Sequence, residues 1–283
     1  MINSFFVSDL HGKKNRYEAM FRAIATEKPS VVFVGGDIFP SIHNRDFNGI
    51  PDFIDNYFKK KLIKLRKDSG KAFPVIYLIM GNDDPRAFVA DIEKLENEGL
   101  IVYMHNRVVE YKGYLIFGYA NVPPTPFLLK DWERYDVSRY IDPGCIPPTS
   151  GFRTAEEKED IEYATIAGDL DILIEGREME KAVFLFHTPP YKSKLDRAAL
   201  DGKFYDHVPL DVHVGSIAVA RMIEEKQPML TLHGHIHESS SITGEWQQIV
   251  GRTISFSAAY DQQSLAIVKF DLEKPVNAKR EIC

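Results

Sequence analysis

The sequence predicts an α/β fold. Short runs rich in Val, Ile and Phe alternate with segments of helical period, longer polar loops separate them, and several of the apolar runs stop on a polar residue. In chain order the expected strands are "SFFVS", "VVFVG", "VIYLIM", "VVEY", "YLIFGY", "AVFLFH", "MLTLH", "TISFSA" and "LAIVKF". "EYKGYL" reads as a hairpin turning at Lys112-Gly113. Helices are expected from about Asn15 to Ala25, through "FIDNYFKKKLIKLRK", from Arg86 to Glu98, through the acidic stretch from Thr154 to Ala167, and from Ser216 to Lys226. Ser216 is a natural N-cap for the last of these, which ends before Pro228. No internal repeat or low-complexity tract is visible.

A chain of 283 residues, 44% of them hydrophobic, can bury a sizeable core. A single domain over residues 1–283 is expected, with a Pro- and aromatic-rich loop excursion at about 121–152. The net charge of −6 gives no broad pull toward nucleic acid or anionic membranes. Cys145 and Cys283 lie far apart, so neither a disulfide framework nor a cysteine metal site is readable. The N-terminus lacks the pattern of a signal peptide, and runs such as "VIYLIM" fall short of the roughly 18 residues of a membrane span. A soluble, cytoplasmic protein is expected, with no membrane partner and an oligomeric state that the sequence leaves open.

The chemistry follows the strands. "SFFVS" leads to Asp9 and His11, "VVFVGGD" ends on Asp37, "VIYLIMGNDD" on Asn82, Asp83 and Asp84, "AVFLFH" on His187, and "MLTLHGHIH" on His235 and His237. The carboxyl ends of strands in an open α/β sheet are where ligands bind, so these loops can converge. Two Asp, one Asn and four His form an oxygen and nitrogen set without thiolate, suited to Mn, Fe, Zn, Co or Ni. Seven ligands exceed the four of one tetrahedral ion, which points to two divalent ions sharing a carboxylate. Asp37, after a Gly-Gly pair, is the bridging candidate.

The blocks "DLH", "GGD", "GND", "FH" and "GHIH", in this order, resemble the calcineurin-like metallophosphoesterases, whose pattern is D-x-H, G-D, G-N-H, a lone His and G-H-x-H. "LDRAAL" through "HVGSIAVARMIEEKQPMLTLHGHIHES" is similar to the bacterial and archaeal branch related to Icc proteins. The resemblance spans nearly the whole chain. It implies a sandwich of two mixed β-sheets flanked by helices, with the metals at one end. By position it implies a first ion on Asp9, His11, Asp37 and His237, and a second on Asp37, Asn82, His187 and His235. The expected reaction is hydrolysis of a phosphomonoester or phosphodiester, nucleotides included, by attack of a metal-bridging hydroxide. Two divalent cations, two carboxylates and one hydroxide leave about one net positive charge by formal counting, which suits a phosphate ester. A nuclease is disfavoured by the acidic balance.

One departure stands out. Where the family has His after Gly-Asn, this chain has Asp83, followed by Asp84. In many members that His assists the leaving oxygen as a proton donor. An ionised Asp cannot, unless burial or neighbouring carboxylates raise its pKa; Asp83 and Asp84 are the catalytic candidates here, with His213 or His105 as the alternative donor. His213 also opens "HVGS", a helix start that can contact an anion.

Simpler readings stand beside these. Asp9 alone could cap the first helix. His233 reads as a packing or supporting residue, and His43, His105 and His207 as surface or loop residues. The lysines of "KKKLIKLRK" read as the solvated face of an amphipathic helix, because Ile54, Phe58, Leu62 and Leu65 recur at helical spacing. Phe127, Trp132, Tyr135, Tyr140 and Phe152 could line a substrate rim or pack their loop down. The alternative to the enzyme is a non-catalytic or weakly active scaffold on the same fold, from which the complete ligand set separates it.

Overall fold

The β-branched and aromatic runs become strands in the computed structural model, which describes residues 1–40, 47–156 and 160–283. In chain order they are β1 (Asn3–Val7), β2 (Val31–Gly35), β3 (Val75–Ile79), β4 (Val102–Tyr103), β5 (Arg107–Tyr111), β6 (Tyr114–Tyr119) and β7 (Ala182–Phe186). There follow β8 (Phe204–Tyr205), β9 (Val208–Pro209), β10 (Leu230–His233), β11 (Gln247–Val250), β12 (Thr253–Ser257), β13 (Ala266–Asp271) and β14 (Lys279–Ile282). The helices are α1 (Lys14–Glu27), α2 (Gly49–Asp52), α3 (Lys59–Ser69), α4 (Val89–Asn97), α5 (Ile166–Ile174), α6 (Ile217–Lys226) and α7 (Ser239–Thr243).

Two six-stranded mixed sheets result, in the orders β14-β13-β1-β2-β3-β4 and β11-β12-β10-β7-β6-β5, and a separate two-stranded β8-β9 hairpin. In the first sheet β1 to β4 run parallel, and β13 and β14 complete it antiparallel. In the second, β12, β10, β7 and β6 run parallel between antiparallel edges. The expected β5-β6 hairpin turns at Lys112 and Gly113, with φ of 50° and 82°, as a two-residue turn with both central residues left-handed requires.

Strand alternation divides the core into layers. Phe6, Phe33 and Tyr77 share a register row facing the second sheet, where Phe256 of β12 packs on Phe270 of β13 with centroids 5.5 Å apart. On the other face of the first sheet lies an aromatic cluster of Tyr17, Phe21, Phe53 and Phe58. The far face of the second sheet buries Phe117, Phe184 and Phe186 beneath α5 and α6. Helices thus flank both sheets.

The lysine-rich helix keeps Ile54, Phe58, Leu62 and Leu65 inside, while Lys59, Lys61 and Lys64 pair with Glu98, Glu18 and Asp68. A π-helical turn at Phe53–Phe58 joins α2 to α3. α6 starts as expected: Ser216 Oγ accepts from the Val219 amide at 3.1 Å. The helix expected over Thr154 to Ala167 requires correction. Its described residues are turns and bends, and α5 starts only at Ile166, where Thr165 accepts from the Gly168 amide at 3.1 Å. An acidic run offers no apolar stripe to bury, whereas "IAGDLDILI" does. Residues 157–159 of the expected helix, and His43, lie outside the described residues.

The excursion after β6 is pinned to the body. Within it the Val122 amide donates to the Trp132 carbonyl at 2.8 Å and the Lys130 amide to that of Phe152 at 2.9 Å, and Trp132 Nε1 donates to the Asp84 carbonyl at 2.6 Å. Trp132 and Tyr135 are buried and pack the loop down, while Phe127 and Tyr140 are exposed.

Candidate metal centre

Two parallel loops open the site. After β1 the chain turns through Asp9 and His11, and after β2 through Gly36 and Asp37; Asp9, His11 and Asp37 are non-glycine residues with φ of 56°, 46° and 52°. Such left-handed conformations cost energy and persist where surroundings over-determine them. Here the loops zip together: the Asp9, His11 and Gly12 amides donate to the Gly36, Asp37 and Ile38 carbonyls at 3.0, 2.7 and 3.0 Å. His235, after β10, is likewise left-handed at φ 72°.

The loops converge as the strand ends suggested. Single ligand atoms of Asp9, His11, Asp37 and His237 all lie within 4.8 Å of one another. His11 Nε2 is 3.1 Å from His237 Nε2, and His237 Nε2 is 3.2 Å from Asp9 Oδ1. On the other side of Asp37, Oδ2 lies 3.3 Å from His187 Nε2, which is 3.1 Å from Asn82 Oδ1. His235 joins through its ring, 5.1 Å from that of His187 between centroids. Asp9 does not cap α1, which begins after Lys13 without a side-chain cap; its carboxylate instead accepts the His235 amide at 3.1 Å.

The surroundings hold these groups in place. His187 Nδ1 lies 2.7 Å from the Gly35 carbonyl, so Nδ1 carries the proton and Nε2 is turned toward Asp37 and Asn82. Asp37 Oδ1 accepts the Asp83 amide at 2.9 Å. A Cβ on Gly81 would sit 2.2 Å from Asp37 Oδ1 and 2.7 Å from His187 Cε1, so the residue before Asn82 must be glycine.

The cluster's charge fits a cation. Burial alone would raise the Asp9 and Asp37 carboxyls, but His237 hydrogen-bonded to Asp9 and the charge of His187 beside Asp37 outweigh it; Asp37 is held down to about 2. Burial would likewise lower His187, yet the Asp37 carboxylate holds it up to about 10, and Asp9 holds His237 above its ordinary value. Burial keeps His11 low and, with His187, brings His235 to about 3. Two carboxylates thus draw protons onto two of the imidazoles, His187 and His237, which is the positive charge a divalent ion would supply. The oxygen and nitrogen donor set, gathered within 4.8 Å at Asp9, His11, Asp37 and His237, suits such an ion.

Asp83 and Asp84 part company here. Asp83 stands at the mouth, its side chain 42% exposed, with Oδ2 3.5 Å from His11 Nδ1. Burial and then the Asp37 charge raise its carboxyl to about 7, a shift that its exposed part screens. Asp84 is fully buried and accepts the amides of Ile38, Phe39 and Gly81 at 2.9, 2.8 and 2.9 Å. It braces the Asp37 loop against the Asn82 loop. Each stranded buried amide costs about 1–3 kcal/mol, so Asp84→Ala is expected to lower the melting temperature far more than Asp83→Ala; equal losses in thermal unfolding would count against this brace.

His213 lies apart from the cluster, with Nδ1 2.7 Å from Asp196 Oδ1. His233 stacks on Phe186 and bonds Thr188 and Thr231, a packing residue. His207 is exposed. His105 differs from expectation: it is only partly exposed, packs edge-on against Trp132 at 4.8 Å, and Nδ1 accepts the Ala120 amide. Sequence reasoning missed Arg16, a buried guanidinium that donates to the Asp9 carbonyl and to those of Tyr260 and Gln262. Its signal was an arginine on the i, i+4 row of Met20 and Ile24, which are buried.

A model of the calcineurin-like phosphoesterases matches residues 3–239, a span that contains all seven clustered residues. The chain belongs to the calcineurin-like phosphoesterase family. Among solved structures, one is 18% identical over 99% of this chain and 98% of its own, with a TM-score of 0.59. TT1561 of Thermus thermophilus is 14% identical over 99% and 98%, with a TM-score of 0.56. Likenesses of this order show the fold that this calcineurin-like phosphoesterase shares with them. No curated protein matches the chain. No helix among the described residues is long and apolar enough to cross a membrane.

Proposed function

We propose that this phosphoesterase is a dinuclear, metal-dependent hydrolase of phosphomonoesters or phosphodiesters, nucleotides among them. The observation that carries the reading is the convergence of Asp9, His11, Asp37 and His237 within 4.8 Å, with Asp37 shared by His187 on its other side. Asp9, His11, Asp37 and His237 would hold one ion, and Asp37, Asn82, His187 and His235 the other. Bound there, divalent ions such as Mn, Fe, Zn, Co or Ni supply Lewis acidity toward phosphoryl oxygens and an activated water at neutral pH.

The protein's own part is positioning. Asp37 has Oδ1 tied to the Asp83 amide, which leaves Oδ2 between His11, at 3.7 Å, and His187, at 3.3 Å. Gly35 fixes the His187 tautomer, and Arg16 holds the backbone at Asp9. Asp83 occupies the place where the family carries its proton-donating His. Cations close to it favour its ionised form, so it leaves the departing oxygen without a donor. Rates are therefore expected to fall steeply as the leaving-group pKa rises, aryl esters outpacing alkyl esters. A flat dependence with chemistry rate-limiting would overturn this.

The decisive experiment is elemental analysis of purified protein, with turnover of bis-p-nitrophenyl phosphate and p-nitrophenyl phosphate after Mn addition. Two ions per chain and metal-dependent hydrolysis support the reading. A chain that retains no metal and hydrolyses neither ester with any divalent ion is a scaffold.

Metal removal has a pH signature. His187 is raised from 6.5 to about 10, so its contribution to the stability of the metal-free protein is complete below pH 6.5 and lost as pH climbs toward 10. Asp37 is lowered from 3.8 to about 2, so its contribution is complete above pH 3.8 and lost as pH falls toward 2. Metal competes with the His187 proton. The gain in melting temperature when Mn is added to chelator-treated protein should be larger at about pH 8 than at about pH 6. Equal gains would remove His187 from the ligand set.

A further inference from the structure

Among the segments that leave the second sheet lies a concavity of about 430 Å³, within the range of small-molecule sites. Its walls come from the excursion after β6, the segment after β7 and the segment leading into α6. Because β6, β7 and β10 run parallel side by side, these walls leave the same edge of the sheet as His187, His235 and His237. Two hydrogen bonds fix the segments that carry these walls. Trp132 Nε1 donates to the Asp84 carbonyl at 2.6 Å, and the Tyr191 amide, four residues beyond His187, donates to the Ser216 carbonyl at 2.9 Å.

The lining is apolar, from prolines and leucines, with the rings of Tyr140 and Tyr191. Its polar groups are chiefly acceptors. Among the described residues no Lys or Arg lines it, and its charged groups are Asp136, Asp142 and Asp211. Asp136 is satisfied by the Ser216 hydroxyl and the Ile217 and Ala218 amides. Asp211 accepts from the His213 amide at 2.8 Å and the Tyr191 hydroxyl at 2.6 Å. Burial and then the Asp211 charge raise the Asp142 carboxyl, as two carboxylates facing a shared space require. Asp196, buried behind the wall, holds His213 Nδ1 at 2.7 Å and so fixes the ring against the cavity wall. Lys192 Nζ lies 5.3 Å from the Tyr191 centroid without lining the cavity, and the Tyr140 ring has no such partner among those described. Asp142 and Asp211 stand at the exposed rim of the cavity, where their charge repels a phosphate and attracts a cation.

We propose that this cavity binds an organic cation, and that on the phosphoesterase reading above it receives an ammonium-bearing alcohol moiety of a phosphodiester. Asp142 and Asp211 supply the countercharge, the tyrosine rings a cation-attracting wall, and the metal centre at the same sheet edge the place for the phosphate.

The test compares choline with 3,3-dimethylbutan-1-ol, its uncharged isostere, by titration calorimetry on the full chain with Mn present. Choline is expected to bind at least tenfold more tightly, and Asp142→Asn or Asp211→Asn to shrink that ratio at least threefold. Equal affinities, or absence of saturable choline binding, overturn the proposal; the wild-type ratio decides even if a variant fails to fold. A second arm compares hydrolysis of p-nitrophenyl phosphorylcholine and p-nitrophenyl 3,3-dimethylbutyl phosphate, the former expected to have the higher kcat/KM. Choline binding without hydrolysis of any ester supports the cavity and overturns the phosphoesterase reading. Hydrolysis of bis-p-nitrophenyl phosphate with no preference for the charged ligand does the reverse.

Discussion

Asp37→Asn is expected to lower kcat/KM for bis-p-nitrophenyl phosphate about a thousandfold, which corresponds to about 4 kcal/mol of transition-state stabilisation. The amide keeps an oxygen for the Asp83 amide, 2.9 Å from Oδ1 in the parent, so the loop has no reason to move. What is lost is the anion between His11 and His187, and with it the shared ligand of both proposed ion sites. Metal content measured on the same sample should fall below two ions per chain while the folded spectrum is retained. A variant that keeps both ions and turns over within tenfold of wild type would remove Asp37 from the centre.

Trp132→Ala is expected to destabilise the protein by about 3–5 kcal/mol, the range for truncating a buried large aromatic, and to lower the melting temperature by about 10 °C. Trp132 is 1% exposed, stands edge-on to His105 at 4.8 Å, lies under the Arg86 guanidinium at 4.3 Å, and donates to the Asp84 carbonyl. Trp132→Phe keeps one ring but loses that hydrogen bond and leaves a small cavity, so a smaller fall of about 1–3 kcal/mol is expected. If alanine and phenylalanine cost the same, or if alanine costs under about 1 kcal/mol in denaturant unfolding, the excursion is not anchored here.

Much of the candidate site was legible because its residues follow strands. An apolar run ending on Asp or His announces both an element and its exit, and parallel pairing brings the exits of β1, β2 and β3 to one edge. Asp9, His11, Asp37 and His237 could thus be named from residues more than two hundred positions apart. The division of labour between Asp83 and Asp84 was not legible. Adjacent identical carboxylates differ only in which way the loop turns them, one to the mouth and one onto three amides. The excursion's aromatics were equally undecided: burial, which no local pattern encodes in an irregular loop, assigns Trp132 and Tyr135 to packing and leaves Tyr140 at a cavity.

Local periodicity and residue chemistry were sufficient for the strand set, the amphipathic lysine helix and the oxygen and nitrogen donor set, since each depends on nearest neighbours along the chain. The stacking of two sheets decided the rest. It carried His187 and His235 from the second sheet to Asp37 on the first and gave Arg16 the Tyr260 and Gln262 carbonyls, while segments after β6 and β7 and before α6 closed a carboxylate-lined cavity. Such contacts join residues that share no local signal, because they arise only when apolar faces made in separate parts of the chain are buried against one another.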